Sequence, residues 1–72
     1  MTESDVLPFL TREWRSTVEI ARDVYEAEGH RGDFTTVRTR IAHTLSMMEK
    51  RGKAESKRAP TRGRPVLWRL AE

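Results

Sequence analysis

Two stretches of the chain combine residue types that could recognise a nucleic acid. Between residues 35 and 48, hydroxyls, two arginines and a histidine occur without any acid. Arginine can donate paired hydrogen bonds to guanine, and threonine can bond a base edge or place its methyl group against thymine. In the second stretch, Arg62-Gly63-Arg64-Pro65, a glycine between two arginines permits close approach to a narrow groove of negative potential. Both stretches offer hydrogen bonding and charge neutralisation.

The net charge of +3 is unevenly distributed along the chain. Residues 1–33 carry four arginines against eight acids, a net charge of −4, whereas residues 34–72 carry ten lysines and arginines against three acids, a net charge of +7. This division is expected of a protein whose basic face meets a polyanion while its acidic face stays off the phosphates. A solvated basic tail is the alternative, but the cations are interleaved with regular apolar patterns.

Length and composition exclude several classes of protein. Seventy-two residues allow one domain, residues 1–72, and bury too little surface for a deep substrate cleft between two lobes. The absence of cysteine excludes disulfides, thiolate catalysis and zinc sites with sulfur ligands. No apolar run approaches the ~18 residues of a membrane span, and the acidic start lacks the features of a signal peptide. We therefore expect a cytoplasmic, chromosome-associated protein.

The two histidines do not predict catalysis or metal binding. His30 falls in a loop and His43 on a polar helix face, and no nucleophile, base and acid recur at a spacing typical of a triad. A metal site formed by both histidines and nearby acids stays an alternative, but no ligand motif indicates one. We expect neither an enzyme nor a cofactor or metal.

Periodicity and capping residues predict three helices that would position the polar groups. The first covers residues 5–13, with Pro8 near its first turn. The second covers residues 17–28, because Ser16-Thr17-Val18-Glu19 forms a capping box and Gly29 follows the last apolar position. The third covers residues 34–51, with Asp33 or Thr35 as its N-cap. Its apolar stripe has spacings of three, four, four and three and comprises Phe34, Val37, Ile41, Leu45 and Met48.

Beyond Gly52 the apolar period changes to two, which predicts a β-hairpin over residues 53–70. Ala54 and Ser56 would face inward from the first strand, residues 53–58. Residues 59–65 would form a projecting loop, and residues 66–70 the second strand. The inward side chains of that strand would be Val66, Trp68 and Leu70, so Trp68 is expected in the core rather than as a stacking platform for bases.

This order of elements, over residues 6–71, resembles the winged helix-turn-helix family. Four fragments carry the resemblance at the right spacing: residues 16–21, 36–41, 49–52 and 63–70. The link between the second and third helices is longer than in the simplest members and is similar to that of penicillinase-repressor-like members. Lys53 departs from the family, where a large apolar residue is common. The resemblance implies an α+β fold of three helices with a C-terminal β-hairpin wing.

The resemblance also implies a double-stranded DNA partner. The third helix would enter the major groove, and the hairpin would lie on the backbone or in the adjacent minor groove. Arg62-Gly63-Arg64-Pro65 is also similar to the core of the AT-hook. The expected contact residues are Thr35, Thr36, Arg38, Thr39, Arg40, His43, Lys50, Lys57, Arg58, Arg62 and Arg64.

Two other functions stay open at this point. Winged helices also serve as protein-protein adaptors in nucleic-acid-associated complexes, and RNA is a third class of partner. If the chain forms a homodimer, we expect Phe9, Leu10 and Trp14 at the contact.

Overall fold

The computed structural model describes residues 2–60 and 62–71 of the chain. Its helices are α1 (Glu3–Val6), which continues into a 3₁₀ turn (Leu7–Phe9), α2 (Thr17–Ala27) and α3 (Phe34–Lys50). Its strands are β1 (Arg15–Ser16), β2 (Ala54–Arg58) and β3 (Val66–Leu70), which form an antiparallel sheet in the order β1-β3-β2. The chain therefore belongs to the expected α+β class, with three helices and a three-stranded sheet.

Helix α1 is shorter than the sequence predicts, and the expected helix over residues 5–13 is wrong. The α-helical part ends at Val6, the 3₁₀ turn ends at Phe9, and Leu10 is extended with φ −97° and ψ 131°. Pro8 has no backbone N–H and cannot continue the α-helical hydrogen bonds. Instead the Leu10 N–H donates to the Leu7 carbonyl three residues back, at 3.1 Å, which closes the tighter turn.

Strand β1 is a feature that the sequence does not predict, because two residues are too few to show a period. Arg15 pairs with Trp68 and Ser16 with Leu67, so β3 lies between β1 and β2. The Leu70 N–H also donates to the Thr11 carbonyl at 2.7 Å. The segment before α2 therefore covers an edge of β3 that would otherwise be unpaired.

Helices α2 and α3 begin and end close to where their capping residues predict. The Ser16 side chain accepts the Glu19 N–H at 3.1 Å, and the Asp33 side chain accepts the Thr36 N–H at 3.2 Å. Gly29 and Gly52 each adopt φ +75° just beyond a helix end, where a side chain would be strained. The predicted start at Thr17 is confirmed, and each helix ends one residue earlier than expected.

The core lies between the three helices and the inner face of the sheet. The apolar stripe of α3 faces it as predicted: Ile41, Leu45 and Met48 are fully buried. Trp68 is also buried, and its indole N–H donates to the Thr17 hydroxyl at 2.8 Å, which ties β3 to the start of α2. The predicted hairpin is confirmed, with strands over residues 54–58 and 66–70. The helices of the described ranges are all too short or too polar to cross a membrane.

Candidate nucleic-acid interface

The outward face of α3 carries the predicted recognition residues. Because the apolar stripe occupies one side of the helix, residues about half a turn away must point to solvent. All seven predicted contact residues of this helix are exposed or half-buried, and no acid lies among them: Thr35, Thr36, Arg38, Thr39, Arg40, His43 and Lys50. The nearest acid along the helix, Glu49, accepts a hydrogen bond from Ser56 of β2. The face therefore presents cations and hydroxyls together.

The threonine hydroxyls of this face are already engaged within the helix. Thr39 donates to the Thr35 carbonyl at 3.0 Å, and Thr36 lies 3.3 Å from the Asp33 carboxylate that caps the helix. Their protons are thus used, while an oxygen lone pair and a methyl group stay exposed. We expect these threonines to act on a base as acceptors or through methyl contacts, because a donor role would break a bond within the helix.

The basic side chains predicted as contact residues on α3 and the hairpin contact no acid or aromatic ring within the described ranges, with one exception. No side-chain hydrogen bond or ion pair joins these six basic residues to any residue within 2–60 or 62–71: Arg38, Arg40, Lys50, Arg58, Arg62 and Arg64. The imidazole of His43 has no such partner within these ranges either. An exposed cation without an acid beside it keeps its full field for an external anion. These side chains therefore form a surface with uncompensated positive charge.

Other basic residues of this half of the chain lie beside acids. Arg51 and Lys53 lie 3.1 and 3.3 Å from the same carboxylate oxygen of Glu3, and Arg69 lies 2.7 Å from Glu55. Lys53, which departs from the family pattern, thus connects the start of the hairpin to α1 through an ion pair rather than through an apolar contact. None of these three basic residues is among the expected contact residues.

The exception is Lys57, which the structure separates from α3. Ser56 pairs with the buried Trp68, so its neighbour Lys57 points to the opposite, outer face of the sheet. There its ammonium lies 4.5 Å from the centre of the Trp14 ring, and the Arg69 guanidinium lies 4.4 Å from the same ring. Arg58 shares the inner side with Ser56. Lys57 was included among the expected contact residues for its charge, although the alternation that turns Ser56 inward also places Lys57 on the outer face.

The loop between β2 and β3 presents two exposed arginines. The Ala59 N–H donates to the Pro65 carbonyl at 3.0 Å, which closes the base of the loop. Gly63 has φ +86° and Arg64 has φ +42°, so the chain reverses at these two positions. Arg62 and Arg64 are exposed on either side of the glycine. Thr61, also in the predicted loop, lies outside the described residues.

A crevice of about 400 Å³ separates α3 from the start of β3. Its third wall is the beginning of α2. The lining residues are Ser16, Thr17, Val18, Arg38, Thr39, Ala42, Pro65 and Val66. Sequence reasoning found only Arg38 and Thr39 among them, because the other six belong to segments or helix positions whose proximity arises only in the folded chain.

Of the three residues expected at a homodimer contact, one is buried and two are half-buried. Leu10 is buried at 3% exposure within the core, so it cannot meet a partner without unfolding. Phe9 packs against the core, and Trp14 is half-buried beneath two cations. Leu7, which was not predicted, is 45% exposed.

Comparisons of this chain with protein-family models, with curated proteins and with solved structures find no match. Within the described ranges, no three histidine, aspartate or glutamate side chains converge as metal ligands would. His43 lies on the outward face of α3, and the His30 ring lies 5.1 Å from that of Tyr25.

Proposed function

We propose that this chain is a double-stranded DNA-binding protein of the winged-helix type that acts as a transcriptional regulator. Helix α3 enters the major groove, and the arginines of the β2–β3 loop lie on the backbone or in the adjacent minor groove. The chain acts by binding and catalyses no reaction. The observation that carries the proposal is the set of exposed cations on α3 and the loop that have no partner among the described residues.

The fold supports this proposal through the way it presents α3. The helix has 17 residues, buries one stripe and leaves a polar face free of acids over more than three turns. The major groove of B-DNA is wide enough to admit one α-helix, and arginine and threonine can read the base edges there. Three helices packed with a basic hairpin are also the arrangement that the winged helix-turn-helix resemblance implies.

The charge supports double-stranded DNA over a neutral protein surface. Every uncompensated cation that binds a phosphate releases condensed counterions, which favours association at moderate salt. Acids are concentrated in residues 1–33, where α2 exposes Glu19 and Glu26. The chromosome is therefore the expected location of the protein.

Binding assays with three classes of nucleic acid test the proposal. The full chain is titrated with a random-sequence DNA duplex, a DNA single strand and a structured RNA at ~150 mM salt, where weak charge contacts are largely screened. We expect the duplex to bind best and repeated selection from the random pool to enrich one sequence. Failure to bind any duplex would overturn the proposal and favour the protein-protein adaptor, and preference for the structured RNA would favour an RNA-binding function.

A further inference from the structure

The crevice between α3 and the start of β3 has an apolar wall to which three parts of the chain contribute. This apolar wall consists of Val18 of α2, Ala42 of α3, and Pro65 and Val66 at the entry to β3. The volume of about 400 Å³ lies within the range of ~300–1,000 Å³ that is typical of small-molecule sites. Hydrocarbon that packs on such a wall leaves water, which stabilises it there. The crevice therefore has room for the apolar part of a small molecule.

Two side chains that line the crevice have free hydrogen-bond donors. The exposed Arg38 guanidinium has no hydrogen bond or ion pair to any residue that the structure describes. The Thr17 hydroxyl accepts the Trp68 indole N–H at 2.8 Å but donates to no described residue, so its proton is free. A carboxylate only accepts hydrogen bonds, and those it forms with a guanidinium are strengthened by charge. These two donors therefore suit a carboxylate.

The other two hydroxyls of the crevice have already used their protons. Thr39 donates to the Thr35 carbonyl at 3.0 Å, and Ser16 donates to the Glu19 carboxylate at 3.2 Å. Their oxygens can still accept a hydrogen bond but cannot donate one to an anion. The two free donors thus define the position of an anionic group.

The charge of the lining limits the charge of a ligand. Among the described residues that line the crevice, Arg38 alone is charged. One cation can balance one anionic group. A second negative charge against the apolar wall would lose its hydration without gaining a partner. The lining therefore fits a molecule with one carboxylate at its end and a hydrocarbon body.

We propose that this crevice binds a small monocarboxylic acid in its ionised form. The carboxylate contacts the Arg38 guanidinium and the Thr17 hydroxyl, and the hydrocarbon body packs on the apolar wall. Recognition of the acid needs no nucleic acid and therefore goes beyond the proposed function. One consequence does rest on that function. Because Arg38 and Thr39 are also expected contacts of α3 with DNA, the acid and the duplex should exclude each other.

Titration of the full chain with octanoate, in the absence of nucleic acid, tests the ligand site. Backbone amide chemical shifts in NMR spectra identify the residues that respond and give the dissociation constant. We expect saturable shifts centred on the residues of the crevice. Octanamide has the same hydrocarbon body without the charge and should bind at least about tenfold more weakly. Butyrate keeps the carboxylate on a shorter chain and should also bind at least about tenfold more weakly.

Two variants separate recognition of the charge from recognition of the hydrocarbon. Arg38→Gln should weaken octanoate binding at least about tenfold and leave octanamide binding nearly unchanged. Arg22→Gln removes the same charge from the exposed face of α2 and is the matched control, which should bind both compounds as the parent does. Ala42→Leu adds volume to the apolar wall and should weaken both compounds alike. Circular dichroism spectra check that each variant is folded.

Competition with DNA tests the consequence for the proposed function. Octanoate at about ten times its own dissociation constant should raise the apparent dissociation constant of the selected duplex about tenfold. Sodium chloride at the same ionic strength is the control, because added salt alone also weakens contacts with phosphate. If octanoate occupies the crevice and the affinity for the duplex stays unchanged, the mutual exclusion is wrong.

Two results would overturn the ligand site while the proposed function survives. In one, octanoate and octanamide bind equally well, so that Arg38 confers no selectivity for the anion. In the other, the octanoate shifts extend over all the basic residues without saturating, which indicates association with the whole basic surface. Failure of the unaltered chain to bind any duplex is a different result, because it removes the proposed function and does not affect the octanoate titration.

Discussion

Helices α2 and α3 have the same capping and burial pattern, but their outward faces differ in charge. Each begins after a side chain that caps its first turn, ends before a glycine with φ +75°, and buries one apolar stripe. Their outward faces differ, since α2 exposes Glu19, Arg22 and Glu26 and α3 exposes threonines, arginines and a histidine. The comparison separates two kinds of position: the buried stripe supports the fold, and the outward face is free to suit a partner.

The two helices also differ in how nearby cations are balanced. Arg15, beside α2, lies 2.5 Å from Asp23 and donates to the Phe9 carbonyl at 3.0 Å. Arg38 and Arg40 of α3 have no comparable partner among the described residues. The Arg15 cation beside α2 therefore stabilises the fold locally, whereas those of α3 are available to an external anion.

The largest expected effect concerns the shared feature, the buried stripes. Ile20 and Ile41 are both fully buried, so Ile20→Ala and Ile41→Ala should each lower the free energy of unfolding by ~2–5 kcal/mol. Leu45→Ala should cost a similar amount. Urea unfolding monitored by circular dichroism measures the decrease. If Ile41→Ala or Leu45→Ala melts within a few degrees of the parent, the assignment of the buried face of α3 is wrong.

The next effect concerns the difference between the outward faces. Arg40→Ala should weaken binding to the selected duplex by ~1–3 kcal/mol and affect nonspecific duplexes less, because the proposed function assigns Arg40 a contact with a base. Arg22→Ala removes the same charge from the outward face of α2 and is the matched control. Titration of both variants on both duplexes measures the effect. Equal weakening by the two variants would show that only net charge matters and that α3 is not the helix that recognises the base sequence.

The loop arginines should contribute charge more than sequence discrimination. Arg62→Ala with Arg64→Ala should weaken binding to all duplexes and lower the log-log salt slope by ~0.9 for each phosphate that the loop no longer neutralises. If the arginines enter the minor groove, the weakening should be greater for an A·T-rich flank, whose narrow groove concentrates negative potential. Titrations at several salt concentrations on both flanks measure the two effects.

The control for this pair is Arg22→Ala with Arg31→Ala, which removes two charges outside α3 and the loop. Its salt slope should stay near that of the parent. If the loop variant instead keeps both its salt slope and its flank preference, the loop is not part of the DNA interface, and the adaptor function gains support.

The smallest effect concerns a carboxylate of the acidic half. Asp5 accepts hydrogen bonds from the Thr2 N–H at 2.9 Å and from the Thr2 hydroxyl at 3.2 Å, which lower the pKa of its carboxyl group. Because the folded-state pKa lies below the unfolded one, its stabilisation is complete above the ordinary pKa of ~3.9 and disappears as pH falls through the folded-state pKa.

Asp5→Asn should therefore be slightly less stable than the parent near neutral pH, and the difference should shrink in acid. Thermal unfolding of both chains across an acid titration measures it. A difference that stays constant with pH would show that the carboxylate charge has no part in holding the first turn.

The features that the sequence predicts are those that depend on neighbours within about one helical turn. The start of α2 at Thr17 follows from the Ser16 side chain, which reaches three residues along the chain. For α3 the sequence left Asp33 and Thr35 as alternative N-caps, and the structure has Asp33. The stripe of α3 and the inward side chains of β3 follow from their periods. The prediction of the first helix failed because Pro8 disrupts the α-helical pattern more strongly than the surrounding apolar residues support it.

The amino-acid sequence by itself determined which residues are available for binding, through charge, hydroxyl groups and helical spacing. Tertiary structure decided which distant residues contact one another. The Trp68–Thr17 hydrogen bond joins residues 51 apart, and the partner of β1 lies as far along the chain. The contact of Lys57 with the Trp14 ring and the crevice between α3 and β3 arise from the same packing. No local pattern specifies such contacts, because their free energy comes from closing the whole core around Ile41 and Trp68.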